Sequence, residues 1–509
     1  MTLPAAKDLL PILPELTLVL GGLTILTAAI VAQHTRRLST LLALGTLAIA
    51  LLFTLFTADS ARFASFGGML LSDGLTDAAR LVILLAAGAA AIVCLLHALP
   101  RTPSSAGSDG PARTNPPEYF LLLLGASTGL CLLASTTNLL VIFLAMELAS
   151  LPSYVLAGWR KDTRHAAEAS LKYVLLGSVA AAMFAFGASI LFACYNTLDV
   201  AAIAASTTAA PLALASLGVW AIALGIAFKI AAVPMHFWCP DVFQGATADI
   251  GLFLSVASKA AALILAARLV ILSVPALPAG QIADTANLLL AAVAIATMTL
   301  ANLAALSATS LKRLAGWSSI AHAGYMLSLL VLTSHAPDLR STLVAYLVVY
   351  LIMNTGFFAA IAAIEAFEQS DRLEKLHRLA RTHPVLSASL AVCIISLIGL
   401  PPTAGFTAKL LVLLALPSAG WLGWTLAVAL VINTVLSLAY YLPILRRIYL
   451  PPAVHDSSQT DTGQTDTGAE PSLALASAAR PSIFLCLICA ILLILTFLFQ
   501  GLLLPWLPL

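Results

Sequence analysis

The sequence predicts an all-α polytopic membrane protein of about fourteen transmembrane helices. Three observations carry that reading. The chain is 61% hydrophobic and only 9% charged, with a mean hydropathy of +1.01. Soluble domains run near a quarter charged. Apolar runs of roughly 18 or more residues recur from end to end, long enough to span a bilayer as helices. The short alternating segments of a β-barrel are absent. The net charge of +2 offers no basic arm for nucleic acid.

The apolar runs place spans at 10–32, 38–58, 75–99, 118–136, 138–158, 166–195, 212–243, 249–273, 284–308, 312–334, 341–366, 384–416, 421–449 and 481–504. The first opens as MTLPAAKDLLPILPELTLVL, with no basic leader and no small-residue cleavage site. It reads as a retained helix rather than a signal peptide. Alternate loops then collect the basic residues: Arg36 and Arg37; Arg101 and Arg113; Arg160, Lys161 and Arg164; Lys312 and Arg313; Arg372, Lys375, Arg378 and Arg381; Arg446, Arg447 and Arg480. Lys7, Arg62 and Arg340 lie on the other side. Cytoplasmic loops gather Lys and Arg, so both termini are expected to face away from the cytoplasm.

No loop is large enough to fold alone, and none carries a phosphate loop or dinucleotide fingerprint. The polar stretch HDSSQTDTGQTDTGAEPS reads as a disordered cytoplasmic linker. The expected organisation is three N-terminal helices and a polar cytoplasmic loop (1–117), a five-helix unit (118–273), a second five-helix unit (284–449), the linker (450–480) and a last transmembrane helix (481–509). An odd helix number inverts the second unit relative to the first.

The cysteines are Cys94, Cys131, Cys194, Cys239, Cys393, Cys486 and Cys489. Only Cys486 and Cys489 have ligand-like spacing, as CLIC within an apolar helix. They read as small core residues rather than an iron–sulfur or zinc site.

Six basic residues remain inside the spans: Arg80, Lys172, Lys229, Lys259, Arg268 and Lys409. Arg80 and Arg268 lie nearer span ends and can snorkel. The four lysines are harder to place, because each costs about 2.5–3.5 kcal/mol on insertion scales. They are expected to face the bundle interior, pair with acids and meet water. Glu147, near the middle of the fifth span, is the obvious acid. A buried carboxylate–ammonium couple changes protonation when a neighbouring charge moves. Its alternative is a structural ion pair that fixes packing. Lys172 follows Glu168 by one helical turn, so it forms a boundary ion pair or joins a relay. Lys259 has Ser255 and Ser258 beside it, which suggests a wetted face. His236 and His322 either extend a proton path or serve as hydrogen-bonded packing residues.

Two spans are too long and are interrupted. Thirty-two helical residues would reach roughly 48 Å, against a bilayer core of about 30 Å. The seventh breaks at Pro234 and the twelfth at GLPPTAGFTAK. Proline frees backbone carbonyls that protein or water must satisfy at membrane depth. Lys229 precedes one break and Lys409 follows the other. Broken helices in corresponding places of two units point to a hydrated ion site at mid-membrane.

Four segments carry a resemblance: MELASLPSYVLAGWRKDTRHAAEASLKYVLLG, FKIAAVPMHFWCPDVFQGA, SLKRLAGWSSIAHAGYM and GLPPTAGFTAKLLVL. Over nearly the whole chain the sequence resembles subunit N of the proton-pumping NADH–quinone oxidoreductase, respiratory complex I, in the antiporter-like membrane subunit family. The long C-terminal lateral helix typical of subunit L is absent. The resemblance implies a subunit of a proton-translocating enzyme of the bacterial inner membrane. NADH, FMN, iron–sulfur clusters and quinone would be held by partner subunits, and the other membrane subunits of complex I would be its neighbours. It implies that Glu147 and Lys229 form the glutamate–lysine pair of the first half-channel. Lys259 would be the central lysine, Lys409 the exit-side lysine and Lys172 a further axis lysine, with His236 and His322 along or near the axis. On this reading Glu147 and Lys229 lie within about one bridging water of each other. A subunit of a multisubunit Na⁺/H⁺ antiporter or membrane-bound hydrogenase on the same scaffold is the alternative. A passive structural subunit is a third reading, opposed by four interior lysines. The sequence departs from the family at QGATADIGLFL, where prolines are usual and Asp249 stands instead. Asp249 is expected at a cytoplasmic mouth or simply in solvent.

Overall fold

The computed structural model describes residues 9–32, 36–57, 63–97, 117–160, 163–206, 211–273, 281–332, 336–377, 379–450 and 473–499. Most of the 450–480 linker, all of the 98–116 loop, and Lys7, Arg62, Lys161 and Arg378 lie outside the described residues. Six apolar helices come first: α1 (Leu13–Ala32), α2 (Arg36–Thr57), α3 (Gly74–His97), α4 (Pro117–Ser135), α5 (Leu139–Ala157) and α6 (Arg164–Tyr195). The seventh span is two pieces, α7 (Leu212–Ile230) and α8 (Trp238–Gly245). Then follow α9 (Ala248–Ser273), α10 (Gln281–Ala305), α11 (Leu311–Leu327) and α12 (Ala336–Glu368). The twelfth span is again two pieces, α13 (Pro384–Ile398) and α14 (Ala404–Ala415), before α15 (Gly420–Tyr449) and α16 (Leu473–Leu498).

Among the described residues, 13 helices are long and apolar enough to cross a membrane, which makes this a multi-pass membrane protein. The count differs from fourteen because Ala404–Tyr449 runs as one 46-residue stretch, while Pro384–Ile398 is short. Such a stretch would extend about 69 Å, twice a bilayer core. Gly420, at φ 68° and ψ −143°, turns the chain inside it, in a conformation closed to side chains. α13 and α14 therefore make one broken span and α15 the next.

Matching features recur in the two halves. The residue before α5, Asn138, bridges Asp199 beyond the end of α6. The residue before α11, Ser310, bridges Arg372 beyond the end of α12. Both residues also cap their helices, Asn138 accepting from the Val141 amide and Ser310 from the Arg313 amide. Each broken span ends its first piece on a left-handed residue, Ala231 after α7 and Gly399 after α13. Each break also contains a cis X-Pro bond, Val233–Pro234 and Pro401–Pro402.

The all-α expectation misses one small hairpin, β1 (Phe63–Ser65) with β2 (Leu70–Ser72), antiparallel with Phe63 opposite Ser72. Phe66, Gly67 and Gly68 make its turn with three consecutive positive φ angles. Three-residue strands carry too little pattern to be read from sequence.

Arg80 and Arg268 do not snorkel; both are buried. Arg80 Nε donates to Glu15 Oε1 at 2.8 Å, and its Nη2 to the Pro11 carbonyl at 2.8 Å, tying α3 to α1. Arg268, near the end of α9, grips Asp73 through Nη1 at 3.0 Å and Nη2 at 2.8 Å. Asp73 also caps α3 by accepting from the Thr76 amide at 2.9 Å. Burial opposes the Asp73 charge, but the Arg268 guanidinium and the Thr76 donors prevail and hold its carboxyl at about 2. Such a depressed carboxylate stabilises the fold above its unfolded value, and the contribution is lost only as pH falls through the folded value.

Asp73→Asn is therefore expected to lower the thermal stability of the purified protein, at a cost of about 3–5 kcal/mol for an uncompensated arginine. The deficit should be constant across roughly pH 5–8, where Asp73 stays ionised. The double variant Asp73→Asn/Arg268→Met should lose less than the single. Thermal unfolding in detergent at several pH values checks both.

Candidate functional site

Among the described residues, three of the four buried lysines sit at or between the helix breaks. Lys229 is 2% exposed, Lys259 1% and Lys409 5%. None has a carboxylate at ion-pair distance among the described residues. Each ammonium is held by neutral acceptors instead.

Lys229 lies in the last turn of α7. Its Nζ donates to Ser150 Oγ of α5 at 3.0 Å. Ser150 is one helical turn beyond Glu147, so the two share a face of α5. Glu147 and Lys229 make no direct ion pair; Ser150 takes the Lys229 ammonium and itself donates to the Met146 carbonyl. The two charges still act on each other. The break beyond Lys229 is closed by Trp238, whose indole N–H donates at 3.1 Å to the Phe228 carbonyl that also accepts from the Ala231 amide.

Lys259 stands where α9 changes pitch, directly after a π-helical turn at Leu254–Ser258. Such turns recur at functional sites because they re-aim side chains without ending the helix. Lys259 Nζ donates to Ser319 Oγ of α11 at 2.6 Å and lies 4.0 Å from Cys239 Sγ of α8. Ser319 also accepts from the Tyr350 hydroxyl of α12 at 2.9 Å. One turn along α11, His322 Nδ1 meets the Tyr346 hydroxyl at 2.8 Å.

Lys409 follows its break and reaches back across it. Nζ donates to the Ile398 carbonyl at 2.7 Å and the Leu397 carbonyl at 3.3 Å, the freed C-terminal groups of α13. A helix C-terminus carries partial negative charge, which suits an ammonium. The Tyr325 ring lies below it, 4.7 Å from Nζ to the centroid. His322 feels the charges of both Lys259 and Lys409, and it contacts the same Leu397 carbonyl that Lys409 uses. Lys259, His322 and Lys409 are thus brought together through α11.

Lys172 and His236 are not part of that line. Lys172 is 41% exposed rather than interior. It pairs with Glu168 at 2.5 Å, as its spacing suggested, and with Asp241 of α8 at 2.6 Å. Asp241 also accepts from Arg313 at 2.6 Å, so α6, α8 and α11 are tied by charge. His236 is buried in the first break against Phe237 and Trp317, and its Nδ1 has no partner among the described residues. Asp249 is buried rather than solvated, and accepts from the Tyr119 hydroxyl. Lys312, read as a loop lysine, is buried too. It pairs with Glu365 at 2.8 Å and donates to the Ala246 carbonyl at 3.1 Å. Sequence reading missed Ser150, Ser319, Tyr346 and Tyr350. Serine and tyrosine are ordinary residues in a helix: Ser150 and Ser319 stand one turn from Glu147 and His322, whereas Tyr346 and Tyr350 lie on another helix with no local signal. Among the described residues, no group of three or more His, Cys, Asp or Glu side chains is placed to hold a metal ion.

Duplicated broken helices, with buried ammonium groups at their freed ends, define an ion-translocating type of membrane subunit. Comparison with known proteins agrees. Residues 136–437 match the family described as NADH:quinone oxidoreductase/Mrp antiporter, transmembrane. NADH-quinone oxidoreductase subunit N of Desulfovibrio desulfuricans is 34% identical over 478 residues, covering 90% of each chain. Subunit N of an Anaeromyxobacter species is 34% identical over 465 residues, covering 86% of each. A chain of respiratory complex I from Thermus thermophilus with bound Aureothin superposes with a TM-score of 0.75 at 30% identity, covering 97% of this chain and 99% of that one. A chain of the Mrp complex from Dietzia shares the fold, with a TM-score of 0.77 at 21% identity, covering 98% and 96%. The chain belongs to the NADH:quinone oxidoreductase/Mrp antiporter family of membrane subunits.

The seat of Lys409 depends on Gly399. A Cβ there would stand 2.7 Å from Lys409 Cδ, on a residue at φ +86°. Gly399→Ala should therefore displace the ammonium from the α13 carbonyls. The expected result is intact assembly with several-fold slower proton translocation, measured as vesicle acidification.

Proposed function

We propose that this chain is a proton-translocating membrane subunit of an NADH:quinone oxidoreductase. Electrons pass from NADH to quinone on other subunits, and protons cross the membrane through this one. The observation that carries the reading is the line Lys259–His322–Lys409, with Lys229 and Glu147 ahead of it, in a bundle whose helices break beside two of the lysines. The subunit N names of relatives covering 90% and 86% of the chain support it.

A lysine held by hydroxyl and carbonyl groups can lose and regain a proton without breaking a carboxylate pair. Glu147 and Lys229, the latter held by Ser150, would load protons from the cytoplasm. Lys259 and His322 would carry them across the middle, and Lys409 would release them. Lys172, linked through Asp241 to Arg313, would set the field at the entry side, and His236 would line the first break. The two half-channels correspond to the five-helix units 118–273 and 284–449, flanked by α1–α3 and α16. FMN, iron–sulfur clusters and the sites for NADH and quinone belong to partner subunits. The chain would lie in a bacterial inner membrane with both termini away from the cytoplasm. The Mrp likeness, at 21% identity, supports a shared fold and leaves Na⁺/H⁺ exchange as the second reading.

Inverted membrane vesicles fed NADH distinguish the two. In Lys229→Met, NADH oxidation and proton uptake should fall together. Untouched NADH-driven activity, with Na⁺/H⁺ exchange lost instead, would move the chain to the second reading.

A further inference from the structure

Asp249 lies in the first turn of α9 and is 5% exposed. It is the sole acidic residue of that helix. Its carboxylate accepts from the Tyr119 hydroxyl of α4, which also contacts Cys94 of α3. Lys259 stands ten residues on in the same helix, roughly 15 Å along its axis, and its own partners are neutral. Between the two, the helix opens into the π turn and carries Ser255 and Ser258.

Two hydroxyls along this path are buried without a protein partner among the described residues: Thr247 Oγ1, just before Asp249, and Ser258 Oγ, just before Lys259. Buried polar groups left in this way are ordinarily met by water. The Ala246 carbonyl at the same helix start takes Lys312 Nζ at 3.1 Å, and Lys312 pairs with Glu365 of α12 at 2.8 Å. The surroundings of Asp249 are therefore polar on several sides: Tyr119 and Cys94 on one, Lys312 and Glu365 near the loop.

We propose that Asp249 is a second proton-loading site, feeding Lys259 along α9 separately from the Glu147–Lys229 route. The proposal rests on the proton-translocating reading above. A carboxylate partnered by a hydroxyl can take a proton and keep its contact, because both groups donate or accept as needed. The proton passes from bulk water to the Asp249 carboxylate, then through water and the Ser258 hydroxyl to the neutral Lys259 amine. At each step one O–H bond breaks as the next O–H or N–H bond forms, and no electron is transferred.

The competing role is a latch in which Asp249 only anchors Tyr119. Asparagine separates the two, since it still accepts from Tyr119 but cannot carry the proton. NADH-driven proton uptake and NADH oxidation are compared in Asp249→Asn, Asp249→Glu, Tyr119→Phe and Lys229→Met. Asp249→Asn should assemble and lose several-fold in proton uptake, Asp249→Glu should recover it, and Tyr119→Phe should keep most of it. Wild-type uptake in Asp249→Asn, or an equal loss of uptake or assembly in Tyr119→Phe, overturns the proposal. Lys229→Met is the independent control. If it alone is impaired, only the Asp249 route fails; if it too is unaffected, the proton-pumping reading itself fails.

Discussion

An ammonium group buried without a carboxylate governs this structure. Removing a charge from water costs several kcal/mol even after relaxation, and Lys229, Lys259 and Lys409 each bear that cost near the centre of the bundle. What offsets it is a set of oriented neutral acceptors: Ser150, Ser319 and the last carbonyls of α13. The helix breaks follow from the same need. An unbroken α13 would spend its Leu397 and Ile398 carbonyls on its own backbone, and Lys409 would have nothing to face. The π turn before Lys259 and the left-handed residues at Ala231 and Gly399 are further devices that turn backbone toward side chain at membrane depth.

Neutral acceptors also suit the work. A tight carboxylate pair fixes a lysine in its charged form, whereas a hydroxyl or carbonyl accepts from either protonation state. The fold keeps its firm ion pairs away from the line of lysines. Asp73–Arg268 and Glu15–Arg80 bind the N-terminal helices and the end of α9. Glu168–Lys172–Asp241–Arg313 joins the two halves, and Lys312–Glu365 ties α11 to α12 within the second. These clusters hold the scaffold rigid around sites that must change charge.

The sequence made the spans, the breaks and the lysines legible, because a lysine or a proline inside an apolar run has few structural reasons to be there. Partners were less legible. Glu15 lies 65 residues from Arg80 and Asp73 lies 195 from Arg268, separations that no local pattern reports. Arg80 therefore read as a snorkelling side chain and Lys312 as a loop charge. Lys229 was legible, but its hydrogen-bond partner Ser150 was not, since a serine reads as any small helix residue. The hairpin was invisible because its turn is set by positive φ angles rather than by alternating polarity.

If Lys229, Lys259, His322 and Lys409 lie on one hydrated path, ordered water in the intact complex must join them. A cryo-electron microscopy map fine enough to place ordered water should show molecules joining Lys259 to His322 and His322 to Lys409, with further water beside Ser150. A dry, closely packed apolar gap between Lys259 and Lys409 in an active preparation would rule such a path out.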